Sequence, residues 1–347
     1  MIYRHLIKGL MTLLTASAMF PAALQAQTAQ HPVKTKQKPA MQTALENYVR
    51  THDADIGIAV ITDRGDTVCV NNDRRYPMNS VMKLYQAMAV ADGMQRRGHR
   101  LDSVITVSRN EMEEDTYSPM RDRYPQGNFR ISIADLLRYS LQQSDNNACD
   151  ILFRHVVGIP ETDRYIRSLG ISGFVISASE ADMHADTSLV NNNWNHPLAA
   201  AMLINRLFTS PVFDCCGNVY DSCKNGFGCC KKELNDCEKS HDYIRTENDN
   251  IYQRFLTETL NGCTTGENRL AKPLLPTNAV IGHKTGTGFS SADGRPQGIN
   301  DVGFVRLPNG RSYSIAVFVK SSRYNMEETE RLIAEVSEIV WKKIFDE

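Results

Sequence analysis

Three short motifs in this 347-residue chain carry residue types that can do chemistry. The first is Ser80-Val81-Met82-Lys83. A serine hydroxyl is a poor nucleophile until something accepts its proton. On a helix, positions i and i+3 share a face, so Lys83 sits one turn from Ser80 and can hydrogen-bond its oxygen. The helix N-terminus adds a partial positive field and free N–H groups near Ser80. The second motif is Ser144-Asp145-Asn146, which follows an expected helix. Its hydroxyl can relay a proton to a leaving nitrogen, and Asn146 can hold an amide. The third, Lys284-Thr285-Gly286-Thr287, falls on an expected strand. A strand edge offers backbone N–H and C=O to an extended substrate, while Lys and Thr bind a carboxylate. Taken singly, each motif has an ordinary structural reading: a helix start with a solvated lysine, a connection rich in capping residues, or an edge strand guarded by a lysine.

The elements that must position these groups are legible in the hydrophobic pattern. IGIAVIT (56–62) and TVCVNN (67–72) flank a DRGD turn and read as a hairpin. DVGFVRL (301–307) and SYSIAVFVK (312–320) flank Pro308-Asn309-Gly310-Arg311, a strong hairpin signal, and IGHKTGTGF just before them reads as another strand. From Met326 to Phe345 the apolar residues Leu332, Ile333, Val336, Ile339, Val340 and Ile344 recur at helical spacing. Further helices are expected at 41–50, 81–96, 147–157, 161–169, 196–208 and 251–262, and another over IADLLRYSL with Ser132 as its N-cap. The fold class is therefore α+β. An antiparallel sheet is drawn from both chain ends with flanking helices, an all-helical lobe is inserted between its strands, and a cleft lies between the lobes.

Composition bounds the rest. With 39 basic against 40 acidic residues the net charge is -1, which gives no reason to expect nucleic acid as partner. Residues 1–26 have Arg4 and Lys8, then an apolar run from Leu10 to about Leu24, and read as a secretory signal peptide rather than a retained anchor. Residues 27–40 are polar and read as a flexible leader. The main domain then spans 41–347. An export signal implies an oxidising, periplasmic location with no membrane attachment after its removal. Six of the nine cysteines, Cys215, Cys216, Cys223, Cys229, Cys230 and Cys237, crowd into an insert at about 214–250. There, disulfides stapling a coreless loop are expected; a metal cluster with His241 is the alternative, although its spacing matches no zinc pattern. Cys69, Cys149 and Cys263 read as small core residues, with a disulfide at Cys149 or Cys263 left open.

The order and context of the three motifs carry more than each alone. Ser-x-x-Lys, Ser-Asp-Asn and Lys-Thr-Gly in succession form the signature of penicillin-recognising serine enzymes. From about residue 45 to the C-terminus, apart from the Cys-rich insert, the chain resembles the class A serine β-lactamases. Tyr117-Ser118-Pro119 resembles the tyrosine-bearing loop that walls that family's active site, and Thr264-Thr265-Gly266, before an expected helix, resembles another family segment. The resemblance implies a deacylating glutamate on an Ω-shaped loop, and Glu180 in SASEADMHAD lies at the right distance. Burial would tune its pKa for taking a proton from water.

Several positions depart from the family pattern. His184 stands where most members have the asparagine that holds the hydrolytic water, and Met183-His184 resembles a cephalosporin-hydrolysing subgroup. Ala178 replaces an arginine that clamps the loop to an aspartate, so that clamp is absent. The usual arginine after Lys-Thr-Gly is missing too, and Arg269 resembles a substitute some members use.

The scheme the resemblance implies is attack by Ser80 on the β-lactam carbonyl, aided by Lys83 or by Glu180 through a water. The oxyanion would lie between the N–H groups of Ser80 and Thr287. Ser144 would pass a proton to the ring nitrogen, Lys284, Thr285, Thr287 and Arg269 would bind the substrate carboxylate, and Asn146 and Tyr117 would hold the side chain. Glu180 would then activate water to release the product. No cofactor or metal is implied, and a monomer acting on a small molecule is expected. Two rivals share parts of this pattern: a D,D-peptidase or penicillin-binding protein, which lacks the Ω-loop base, and a secreted binding protein whose functional surface is the Cys-rich insert.

Overall fold

The structure, a computed structural model, describes residues 40–209 and 251–345. The signal peptide, nearly all of the leader, and the insert with its expected disulfides lie outside the described residues. Helix α1 (Ala40–Arg50) leads into β1 (Asp55–Thr62) and β2 (Thr67–Val70), the hairpin expected around the DRGD turn. Strands β8 (Val280–Thr287), β9 (Gly298–Arg306) and β10 (Ser312–Lys320) come from the other end, and the chain closes with the 20-residue helix α10 (Met326–Phe345). The sheet is antiparallel with order β2-β1-β10-β9-β8, so the first strand pairs with the last, Asp55 opposite Lys320 through Thr62 opposite Tyr313.

Alternation along the strands sends side chains into two cores, because successive residues point to opposite faces. Ala59, Val302, Phe304, Ala316 and Phe318 face the inserted lobe. Ile56, Ile58, Val60, Ile315, Val317 and Val319 face α1 and α10, where Leu332, Ile333, Val336 and Val340 meet them. The β9–β10 turn shows how its residues set its form. Gly310 N–H donates to the Leu307 carbonyl and Gly310 takes φ +84°, so Pro308 and Asn309 occupy a type I turn followed by a left-handed glycine.

The inserted lobe is built on α2 (Met82–Arg96), α4 (Ile133–Gln142), α5 (Asn146–His155), α6 (Ile159–Ser168) and α8 (Pro197–Thr209), with α9 (Ile251–Asn261) beside it. Ser132 caps α4 by accepting from Asp135 N–H, as its position predicts. The lobe is not wholly helical. β4 (Val104–Val107) pairs with β5 (Phe129–Ser132), and the two-residue strands β3 (Tyr76–Pro77), β6 (Phe174–Val175) and β7 (Trp194–Asn195) form a small sheet. These runs are too short for an alternation signal. The helix expected after Thr264-Thr265-Gly266 is also absent: residues 267–274 form successive turns. Pro273 has no N–H for the carbonyl of Arg269, which blocks helical continuation. Among the described residues, no helix is long and apolar enough to cross a membrane.

Candidate active site

Ser80 sits in a 3₁₀ turn, Asn79–Val81, that runs directly into α2. The turn is pinned from the sheet: Asn300 Nδ2 donates to the carbonyls of Pro77 (2.8 Å) and Met78 (3.1 Å), and Asn79 Nδ2 to that of Gly298. Asn79 takes φ +48°, a conformation asparagine tolerates better than most residues. Gly286 lets the strand approach this turn: a Cβ there would lie 2.6 Å from the Met78 carbonyl oxygen. The glycine of Lys-Thr-Gly is thus a steric requirement of bringing the third motif to the first.

Lys83 is fully buried and is the hub of the site. Its Nζ donates to Ser80 Oγ (2.7 Å), Asn146 Oδ1 (2.7 Å) and the Ser144 carbonyl (3.0 Å), and pairs with Glu180 Oε1 at 2.6 Å. Ser80 Oγ is also 3.5 Å from Glu180 Oε1. The i, i+3 spacing from Ser80 to Lys83 thus works across a 3₁₀-to-α junction.

Ser144 adopts φ +60°, a costly conformation for a non-glycine residue and one that concentrates at functional sites. It turns its carbonyl to Lys83 and its hydroxyl to Lys284 Nζ at 3.0 Å. Asp145, fully buried, caps α5 through Ala148 N–H and accepts from Ser118 Oγ and Met120 N–H. Burial raises its pKa, against the pull of those hydrogen bonds. Asn146 N–H donates to the Tyr117 carbonyl, and its Nδ2 to Thr116 Oγ1. The second motif and the tyrosine loop are therefore one bonded unit.

Glu180 begins α7 (Glu180–Ala185). Its loop is held without the arginine clamp. Asp150 Oδ1 accepts from Glu180 N–H (2.9 Å) and Oδ2 from Ala181 N–H (2.8 Å). Asn193 accepts from Ser177 and Ala178 N–H and returns a bond to the Ala178 carbonyl. Burial, then the nearby Glu180 charge, raises the Asp150 pKa to about 7. Asp150 was not singled out from the sequence, yet it lies four residues after Asn146 on α5, one turn along the same face. Of the Met-His pair, Met183 is buried and packs, while His184 is exposed on the cavity wall.

Lys284 and Thr285 are buried on β8, and Thr285 Oγ1 shares a 2.6 Å hydrogen bond with Thr265 Oγ1. Burial, then repulsion from Lys83, lowers the Lys284 pKa to about 7. Arg269 lies behind the cavity wall rather than in it, and is only 4% exposed. Its donors go to Glu330, to the carbonyls of Gly286 and Asn300, and to Thr287 Oγ1 at 2.7 Å. It holds Thr287 rather than presenting a free guanidinium to the cavity. The cavity itself measures about 790 Å³. Ser80, Tyr117, Ser144, Asn146, Glu180, Thr285 and Thr287 all line it. Of the remaining residues singled out from the sequence, Lys83 and Lys284 stand one layer behind, touching Ser80 and Ser144.

A nucleophile, a buried amine and a carboxylate converging on one oxygen suit acyl transfer followed by hydrolysis. Among the described residues, no cluster suited to a metal ion is present. The Beta-lactamase enzyme family model matches residues 40–214 and 253–344. A β-lactamase of Phocaeicola vulgatus is 36% identical over 86% of this chain and 83% of its own length. The extended-spectrum β-lactamase PER-1 of Pseudomonas aeruginosa is 31% identical over 88% of each. The crystal structure of a class A β-lactamase from Bacteroides cellulosilyticus superposes with TM-score 0.75 at 31% identity, over 88% of this chain and 98% of the other. The chain belongs to the β-lactamase enzyme family, and within it to the class A serine β-lactamases. It is a hydrolase of the β-lactam amide bond.

Proposed function

We propose that this protein hydrolyses cephalosporins, and penicillins less well, through a serine acyl-enzyme, and so protects its host from β-lactam antibiotics. The observation that carries the mechanism is the convergence on Ser80 Oγ of Lys83 Nζ at 2.7 Å and Glu180 Oε1 at 3.5 Å. Either group can take the serine proton, Glu180 through a water. The developing oxyanion meets the N–H groups of Ser80 and Thr287, where one donor is worth about 10²–10³ in rate. Ser144, held between two lysines, delivers a proton to the leaving nitrogen. Thr285 and Thr287 hold the substrate carboxylate over the positive charge of Lys284, with Arg269 fixing Thr287. Asn146 and Tyr117 receive the side chain. Glu180, which lines the cavity, then activates the water that cleaves the ester.

The cephalosporin preference rests on Met183-His184 and on the relative named an extended-spectrum enzyme. The protein works as a periplasmic monomer after loss of residues 1–26; the N-terminal pattern supports export. A chromogenic cephalosporin assay on the mature protein tests the mechanism. The wild type turns over, Glu180→Ala stalls as a covalent adduct visible by mass, and Ser80→Ala forms none. A wild type that acylates once and stops would overturn hydrolysis through Glu180. A kcat/KM strongly favouring a penicillin would overturn the substrate preference.

A further inference from the structure

Behind the carboxylate-binding wall lies a second cluster that the hydrolytic scheme does not use. Cys263 follows α9, three residues before Gly266. His283 precedes Lys284 on β8, and Asp301 lies on β9. Asp301 is fully buried and accepts from His283 Nδ1 with both oxygens, at 2.9 and 3.1 Å. That bond fixes the imidazole, which acts on the Cys263 thiol by hydrogen bond and charge. A thiol, an imidazole and the carboxylate that orients it form one cluster. Cys263 departs from the small core residue expected, because it is only partly buried, belongs to neither apolar core and has the polar neighbour Thr265. Cys69 and Cys149, also free thiols, have no such partner, and burial raises the pKa of both.

The charged groups facing Cys263 are His283 and Lys284 from β8, with Asp301 of β9 behind the imidazole. Burial works to raise the thiol pKa, but the hydrogen bond and charge of His283, helped by Lys284, outweigh it and bring it down to about 7. Burial alone would discharge His283; the Asp301 carboxylate instead raises its pKa to about 10. Between about pH 7 and 10 the pair is thus a thiolate facing an imidazolium, the arrangement that makes a cysteine reactive.

We propose that Cys263 is a thiol-modification site for small disulfides, and that its modification weakens substrate binding through Thr265. Cys263 Sγ touches the hydroxyl of Thr265 (3.4 Å) and its carbonyl (3.6 Å). Thr265 in turn hydrogen-bonds Thr285, and both line the cavity. The thiolate sulfur attacks one sulfur of the incoming disulfide RS–SR. A new S–S bond forms, the old one breaks, and RS⁻ leaves with the electron pair and takes a proton from solvent. Cys263 is oxidised to the mixed disulfide and the reagent is reduced to one thiol. The added group occupies the space where Thr265 meets the sulfur, so the Thr265–Thr285 pair is disturbed.

The test uses 2,2′-dithiodipyridine on the mature enzyme, with peptide-resolved mass spectrometry to separate Cys263 from the other cysteines. At about pH 6.5 Cys263 labels faster than Cys69 and Cys149, with a rate that titrates near 7. Labelling lowers kcat/KM by about tenfold or more, the scale of one disrupted buried hydrogen bond, and dithiothreitol restores it. Cys263→Ser keeps its activity when treated. His283→Gln moves the labelling midpoint upward, towards about 8.5, the ordinary thiol value. The wild-type titration stands by itself should His283→Gln fail to fold. A Cys263 peptide that labels no faster than that of Cys69 overturns the proposal, as does full labelling with unchanged kcat/KM. Labelling is read by mass, independently of turnover, so its failure is distinct from failure of the hydrolytic scheme.

Discussion

Lys83 and Lys284 are both fully buried, about the same serine, and they are solvated in opposite ways. Lys83 has a resident counter-ion, Glu180, and three further acceptors. Lys284 has only neutral partners, Ser144 Oγ and the Thr285 carbonyl, and among the described residues no carboxylate lies within ion-pairing distance of it. A buried charge is stable when paired and costly when it is not. The first lysine is therefore paired within the fold, while in the proposed mechanism the second is completed by the substrate's own carboxylate. Below about pH 7 the Lys284 side of the cavity therefore carries a cation without an ion-pair partner, while the Lys83 side carries a balanced pair.

Three measurements press on that division. The largest effect is expected for Lys83→Ala, which leaves Glu180 without its cation and Ser80 without the amine that hydrogen-bonds its oxygen. The acylation rate should fall about 10³-fold, with KM little changed. Next comes Lys284→Ala, where the loss of one charge-assisted contact should cost about 10² in kcat/KM, mostly as KM. In the wild type the Lys284 cation is lost as pH rises through about 7, so kcat/KM should decline on that alkaline side. The decline should be absent from Lys284→Ala. A Lys284→Ala enzyme that loses kcat at constant KM would break the comparison.

The smallest effect concerns the loop that carries Glu180. Asp150 has a raised pKa, so the folded protein binds its proton more tightly than the unfolded chain does. That stabilisation is complete below about pH 4, the ordinary aspartate value, and is lost as pH climbs through about 7. Melting temperature should therefore fall by a few degrees between those limits, and Asp150→Asn should flatten that part of the slope. A slope identical in both proteins would remove Asp150 from the account.

Much of this site was readable from residue types and order. The three motifs are legible through their order and context, and the tyrosine loop and Glu180 through the family resemblance that those motifs carry. The strands and long helices follow from period-two and helical repetition over runs of seven residues or more. What stayed hidden are the groups that act through others. Asp150, Asn193 and Asn300 bond to backbone atoms whose positions depend on the whole fold. One clue was present: Asn300-Asp301 places two polar side chains inside an otherwise apolar strand, and both are fully buried. Such a pair needs partners, and it finds them in the nucleophile turn and in His283. Arg269 misled because a free-looking arginine in sequence gives no sign of Glu330, 61 residues away.

The sheet order has a consequence for how the molecule comes into being. β1 is among the first segments of the domain to be synthesised, yet one of its two neighbours is β10, near the end of the chain. The turn that carries Ser80 is likewise fastened by Asn300, 223 residues downstream of Pro77. Contacts so distant along the chain are slow to form, since the loop between them must close first. A fragment lacking β10 would leave β1 and β9 with open edges where β10 belongs. Until that strand docks, the turn that carries Ser80 has no complete sheet to rest on. Antibiotic-cleaving competence therefore arrives all together, with the closing of the sheet, rather than by stages.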